Sequence, residues 1–118
     1  ELFDKISILE IKIDKIKNKS YLNEINKEYK SLKESLNSNI KETEKTQQFY
    51  KEIKEVNLKL WKIEDDIRIC EKNKDFGKNF VELARAVYIT NDERSKIKSR
   101  INELLGSNIV EIKQYENY

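Results

Sequence analysis

Histidine, proline and methionine are absent from this 118-residue sequence, which has one cysteine, one tryptophan and two glycines. Without histidine there is no imidazole to act as a base or to bind a metal. A lone cysteine can supply neither a zinc site nor an intrachain disulfide, and it fits a reducing, cytoplasmic setting. With Gly77 and Gly106 standing alone there is no glycine-rich phosphate loop, and no serine sits on a G-x-S-x-G turn. Nucleophilic catalysis therefore has nothing to build on. No apolar run approaches the ~20 residues of a membrane span, and no signal-peptide pattern is present. Because the chain opens at Glu1 and lacks methionine, a short upstream piece is expected.

Charge of one sign is also missing. Lys and Arg number 24 against 22 Asp and Glu, for a net charge of +2. Residues 1–60 carry 13 lysines against 11 acids, and residues 61–118 carry 11 basic residues against 11 acids. Neither half is a basic arm, and the tyrosines are scattered, so neither nucleic acid nor a membrane surface is an expected partner. No cofactor is implied.

What is present is a high charge content, 39%, alongside 37% hydrophobic residues at helical spacing. That mix belongs to helical bundles and coiled coils. The length suits one domain spanning residues 1–118, with a modest core. Leu2, Phe3, Ile6, Leu9, Ile13 and Ile16 predict a first helix near 2–17, widened by Ile8 and Ile11 so that more than one side is buried. The step of six from Ile16 to Leu22 breaks the register, and Ser20 is a candidate cap for a second helix near 20–36. One long helix with a stutter is the competing reading. The polar run 37–46 is expected to be an exposed loop, whose later half could begin the next helix. Phe49, Ile53, Val56, Leu60, Ile63, Ile67 and Cys70 then keep three-four spacing, predicting a helix over 45–73 in which Cys70 is a buried small hydrophobe. Asn73, Lys74 and Asp75 make a turn, and a fourth helix is expected over 76–105, ending at Gly106. Thr90-Asn91-Asp92-Glu93 resembles a capping box, yet the stripe through 80, 83, 87, 90, 94, 97, 101 and 104 runs on without a slip. Ile109, Val110, Ile112 and Tyr115 form an extended tail with apolar groups enough to dock on the bundle.

The stretch Trp61–Leu105 is the least generic part of the chain. All four arginines, Arg68, Arg85, Arg94 and Arg100, fall there, in a protein that otherwise uses lysine for positive charge. On the third helix Asn57, Glu64 and Glu71 recur beside the apolar stripe. An antiparallel hairpin through 73–75 is expected to bring Glu64 to the region of Arg85, gathering Glu64, Asp65, Arg85, Tyr88, Asn91 and Asp92 at the flank of the seam. A structural network is the plainer reading, because the arginine fork grips carboxylates in a way lysine does not. An anion site in which Arg68, Arg85 and Arg94 take a phosphate, nucleotide or sugar phosphate is the second reading. A carboxylate–magnesium site on Glu64, Asp65, Glu71 and Asp92 is the third, although the paired E-x-x-E and E-x-x-D spacing of helical nucleotide pyrophosphatases is missing.

Several segments together resemble a bacterial family of small uncharacterised proteins, domain of unknown function 6165. They are D-K-I-S-I-L-E-I-K (4–12), L-W-K-I-E-D-D-I-R (60–68), D-F-G (75–77), L-A-R-A-V-Y (83–88), T-N-D (90–92), I-N-E-L (101–104) and the tail around Ile109-Val110-Glu111. The resemblance brings no activity. It implies that Glu64, Asp65, Arg68, Arg85, Tyr88, Asn91 and Asp92 belong to one shared feature. Ala86 stands where a serine is usual, so no hydroxyl is essential there, and Lys113-Gln114-Tyr115 only approximates the usual K-S-Y ending.

The expected fold is all-α, an antiparallel bundle of about four helices with a long C-terminal hairpin and an extended tail. The first two helices are expected to lie end to end along that hairpin. The specific function is unknown from sequence. A non-enzymatic interaction or assembly module is the first reading, with a homodimer or another protein as partner, and ligand binding at Glu64, Asp65, Arg68, Arg85, Tyr88, Asn91, Asp92 and Arg94 is the alternative.

Overall fold

The computed structural model describes residues 1–106. Within them the chain forms α1 (Leu2–Lys15), α2 (Lys19–Asn39), α3 (Glu44–Lys72) and α4 (Lys78–Leu105), and among the described residues there is no strand. The protein is an all-α helical bundle. The tail residues Ile109, Val110, Ile112 and Tyr115 lie outside the described residues.

Local sequence sets each boundary. α1 stops where Ile16 turns extended, at φ −87 and ψ 134. Asn18, not Ser20, starts α2, since its side-chain oxygen accepts from the backbone N–H of Ser20 at 3.0 Å and of Tyr21 at 3.3 Å. The broken register is thus a true break between two helices. The polar run 37–46 is mostly helical, because α2 continues to Asn39 and α3 begins at Glu44. Thr43 and Thr46 form a reciprocal cap: the Thr46 hydroxyl accepts from the Thr43 N–H at 2.8 Å, and the Thr43 hydroxyl accepts from the Thr46 N–H at 3.2 Å. At the next turn Lys74 takes a left-handed φ of 56, and the Asp75 carboxylate accepts from the Gly77 N–H at 3.2 Å. Gly77 is the N-cap residue of α4, which has no side-chain cap hydrogen bond. That helix runs unbroken past Thr90, whose side chain is buried and faces inward. It ends at Gly106, where φ is 69 and a side chain would be strained.

The two halves are antiparallel hairpins. α3 packs on α4 in the most extensive helix–helix contact among the described residues. α1 folds back on α2, since Glu10 meets Tyr29 while Phe3 lies near Leu36, so contacts descend one helix as they climb the other. The expectation that the first two helices lie end to end is therefore corrected. The short connector from Ile16 to Asn18 reverses the chain, and α2 covers α1 from outside with no fully buried residue of its own.

The core collects where α1 lies across the α3–α4 hairpin. Phe3, Ile53, Val56 and Ile101 form its centre, flanked by Leu36, Phe49, Tyr50 and Ile97. The Phe3 and Tyr50 rings meet edge to face, 5.9 Å apart. Ile6 and Ile53 are fully enclosed, and such a side chain contributes about 1.5–3 kcal/mol on burial. The end of the hairpin toward its turn has no such cover, and Phe76 and Val81 stand half in water there. Among the described residues no helix is long and apolar enough to cross a membrane.

Candidate functional site

Asp4 is the polar centre of the fold. The three-four spacing of α1 that turns Phe3, Ile6 and Ser7 inward also buries Asp4, leaving it 5% exposed. Its Oδ1 accepts from the Asn57 amide at 2.9 Å and from Arg94 Nε at 3.1 Å, while a second Arg94 nitrogen closes on Oδ2. Lys98 Nζ stands 3.8 Å from Oδ2 and 3.3 Å from Glu1. Burial pushes the Asp4 carboxyl up, but the hydrogen bonds from Arg94 and Asn57 and the charges of Arg94 and Lys98 outweigh it. The carboxyl is held below the ordinary aspartate range. Asn57 also donates to the Ser7 hydroxyl at 2.8 Å, which in turn donates to the Asp4 carbonyl at 2.8 Å. Three helices are thus joined through one carboxylate.

A second centre lies farther along α1. Glu10 receives Lys54 at 2.7 Å, the Tyr29 hydroxyl at 3.4 Å, and the Tyr50 hydroxyl. Burial pushes the Glu10 carboxyl up, yet Lys54 and the two phenols together draw it below the usual glutamate range. Burial, and then the Glu10 charge, raise both tyrosines, so both hydroxyls stay protonated as donors. This centre ties α2 and α3 to α1.

The eight residues singled out in the sequence divide. Glu64, Asp65, Arg68 and Arg94 line one cleft of about 380 Å³ between α1, α3 and α4. Its apolar walls are Ile8, Ile11, Leu60 and Trp61, and Asn57 lies at its edge with the Asp4 network. Arg85, Tyr88, Asn91 and Asp92 do not line that cleft. Arg85 and Tyr88 are exposed on the outer side of α4, where the Tyr88 hydrogen bond favours the charged guanidinium and raises its pKa. Asn91 and Asp92 are half-buried. No hydrogen bond or ion pair joins Glu64 to Arg85 among the described residues. No group of three or more acidic or cysteine side chains is placed to hold a metal ion among those residues, so the magnesium alternative finds no ligand set there.

The residues that sequence reasoning missed are Asp4, Ser7, Glu10, Tyr29, Tyr50, Lys54 and Lys98. A signal existed for some of them. Asp4 and Ser7 sit within the widened stripe of the first helix, and Arg94 falls on the inner stripe of the fourth.

The whole chain, residues 1–118, matches the family described as a family of unknown function, DUF6165. The protein belongs to that family. No curated protein and no solved structure matches it. Membership of DUF6165 carries no activity with it, so the chemistry rests on the side chains described above.

Proposed function

We propose that this chain is a non-enzymatic helical assembly module that pairs with a second copy of itself through the outer face of the α3–α4 hairpin. One observation carries this reading. Phe76, Val81, Tyr88 and Ile89 are 51%, 52%, 42% and 44% exposed, on the stretch of hairpin that neither α1 nor α2 covers. Val81 and Tyr88, seven residues apart, share one face of α4, with Ile89 at its edge and Phe76 just before the helix, and contiguous exposed apolar groups mark a contact surface more often than scattered ones do. The two polar centres, by contrast, join the helices of one chain to each other.

A second copy fits the pattern of the stripe. Lys78, Val81, Arg85, Tyr88 and Asp92 follow one another at three-four spacing along α4. If two copies pair antiparallel about an axis at Arg85, Val81 lies opposite the partner's Ile89, beside the partner's Tyr88, and Lys78 meets the partner's Asp92. An isologous contact needs this self-complementarity. Sedimentation equilibrium at micromolar protein tests the reading. The expected result is a dimer that Val81→Glu converts to monomer with its helical content intact. A single species of 14.2 kDa at every concentration would overturn it.

A further inference from the structure

The cleft between α1, α3 and α4 offers a set of polar groups that the fold itself leaves unused. Asn57 is 6% exposed and donates its amide nitrogen to both Asp4 and Ser7, while its Oδ1 accepts no hydrogen bond among the described residues. That oxygen is not sealed off, since the only enclosed side-chain polar atom without a partner among the described residues is Glu52 Oε2, so Asn57 Oδ1 stands open at the cleft as an acceptor. Glu64, Asp65 and Arg68, along the same wall, likewise make no hydrogen bond or ion pair among the described residues. Arg94 differs, because its fork is held by Asp4.

Acceptors and donors are arranged unequally. Asn57 Oδ1 and the Glu64 and Asp65 carboxylates ask for a donor-rich, positively charged group, whereas Arg68 asks for an anion. Arg68 follows Glu64 by one helical turn, so the two side chains leave the same face of α3 from Cβ atoms about 6 Å apart. A guanidinium there suits a carboxylate, which it can grip with two parallel N–H groups. Beside these charges Trp61, Leu60, Ile8 and Ile11 provide an apolar wall, and the volume of about 380 Å³ is that of a small-molecule site. A simple anion would face two carboxylates, and a simple cation would face the arginine. A ligand carrying both charges at short separation satisfies all of them.

We infer that this cleft binds a zwitterionic small molecule of the α-amino-acid class with a large apolar side chain. The ammonium lies toward Glu64, Asp65 and Asn57 Oδ1, the carboxylate on Arg68, and the side chain against Trp61 and the α1 isoleucines. This site is separate from the outer face of α4, so the two readings stand or fall independently.

Calorimetric titration of the full chain tests the inference with three probes: phenylalanine, phenethylamine, which lacks the carboxylate, and 3-phenylpropanoate, which lacks the ammonium. Fluorescence of Trp61, the single tryptophan, gives a second readout. Phenylalanine is expected to bind saturably, with each analogue about tenfold weaker or more, as befits the loss of one charged hydrogen-bonded pair. Arg68→Gln should weaken phenylalanine binding while leaving phenethylamine unchanged. Glu64→Gln with Asp65→Asn should weaken phenylalanine while leaving 3-phenylpropanoate unchanged. All three positions are exposed, so unchanged thermal melting should confirm that the variants fold. Absence of saturable binding by phenylalanine, or equal binding by either analogue, would overturn the inference.

Discussion

Arg94 closes on Asp4 across ninety residues of chain, with Nε 3.1 Å from Oδ1 and a second nitrogen on Oδ2. This two-pronged contact fixes α1 to α4, although Asn57 of α3 and Lys98 share the same carboxylate. Removing the guanidinium leaves a buried aspartate only partly compensated. Arg94→Ala is therefore expected to cost about 3–5 kcal/mol in urea unfolding, the range for breaking a buried pair from one side. Arg94→Lys should cost less, about 1–2 kcal/mol, since it keeps the charge and loses the fork. A loss below ~1 kcal/mol for Arg94→Ala would mean that Lys98 alone neutralises Asp4.

Acid should undo the same contacts in a defined direction. Asp4 and Glu10 both have folded-state pKa values below their ordinary ones. Through the acid range the unfolded chain therefore binds more protons than the folded one, and stability rises with pH there. The contribution is complete above the ordinary carboxyl range, about pH 4–5, and is lost as pH falls through the depressed folded values. Urea unfolding measured from pH 7 to pH 2 should show this slope, and Asp4→Asn should flatten it. Glu10→Gln should flatten it less, because the Glu10 side chain is 22% exposed against 6% for Asp4 and is better screened. A wild-type slope left intact in Asp4→Asn would contradict the assignment.

Caps give a sharper contrast between sequence and structure. Ser20 is the residue type expected to start the second helix, yet Asn18 accepts the two backbone hydrogen bonds. Asn18→Ala should lower stability by about 1 kcal/mol and Ser20→Ala by no more than a few tenths. Thermal or urea unfolding of the two variants side by side decides it. Equal effects would show that the cap is shared or not formed.

These positions show what the sequence could and could not disclose. The third and fourth helices were legible because Ile53, Val56, Ile63 and Cys70 keep strict spacing, and Gly106 marks a stop that only a left-handed residue serves. The fold-back of α1 on α2 was not legible. It depends on a short connector whose direction periodicity does not encode, and both end-to-end and folded-back arrangements satisfy the same stripes. The candidate site was legible in part. Clustered arginines drew attention to Glu64, Asp65, Arg68 and Arg94, which share a cleft, but the hairpin's flank did not bring Glu64 to Arg85 as an ion pair among the described residues. Asp4 was hidden by its position, since an acid in a first turn is explained by the helix dipole without any buried partner.

The two facing arginines of the proposed dimer provide a test by gain. With the axis at Arg85, like charges approach each other where Tyr88 already supports the guanidinium. Arg85→Leu removes that repulsion and extends the apolar stripe between Val81 and Tyr88. The dimer should tighten by about tenfold in sedimentation analysis. Unchanged or weaker association would place the contact elsewhere on the molecule.

Cys70 reports on the part of the hairpin that stands alone. Its thiol is buried, 4% exposed, with the Asn79 amide 3.8 Å from the sulfur, yet it lies toward the turn, beyond the reach of the α1 network. Only the contact of α3 with α4 protects it there, and a two-helix segment opens more readily than a three-helix core. Labelling of Cys70 by a thiol reagent under native conditions should therefore proceed through local opening, with little dependence on low concentrations of urea. Arg94→Ala, which weakens the core, should change global unfolding while leaving that low-urea labelling rate nearly constant. If labelling instead follows global unfolding in both proteins, the hairpin and the core open as one unit, and the uncovered turn end is held as firmly as the centre around Phe3 and Ile53.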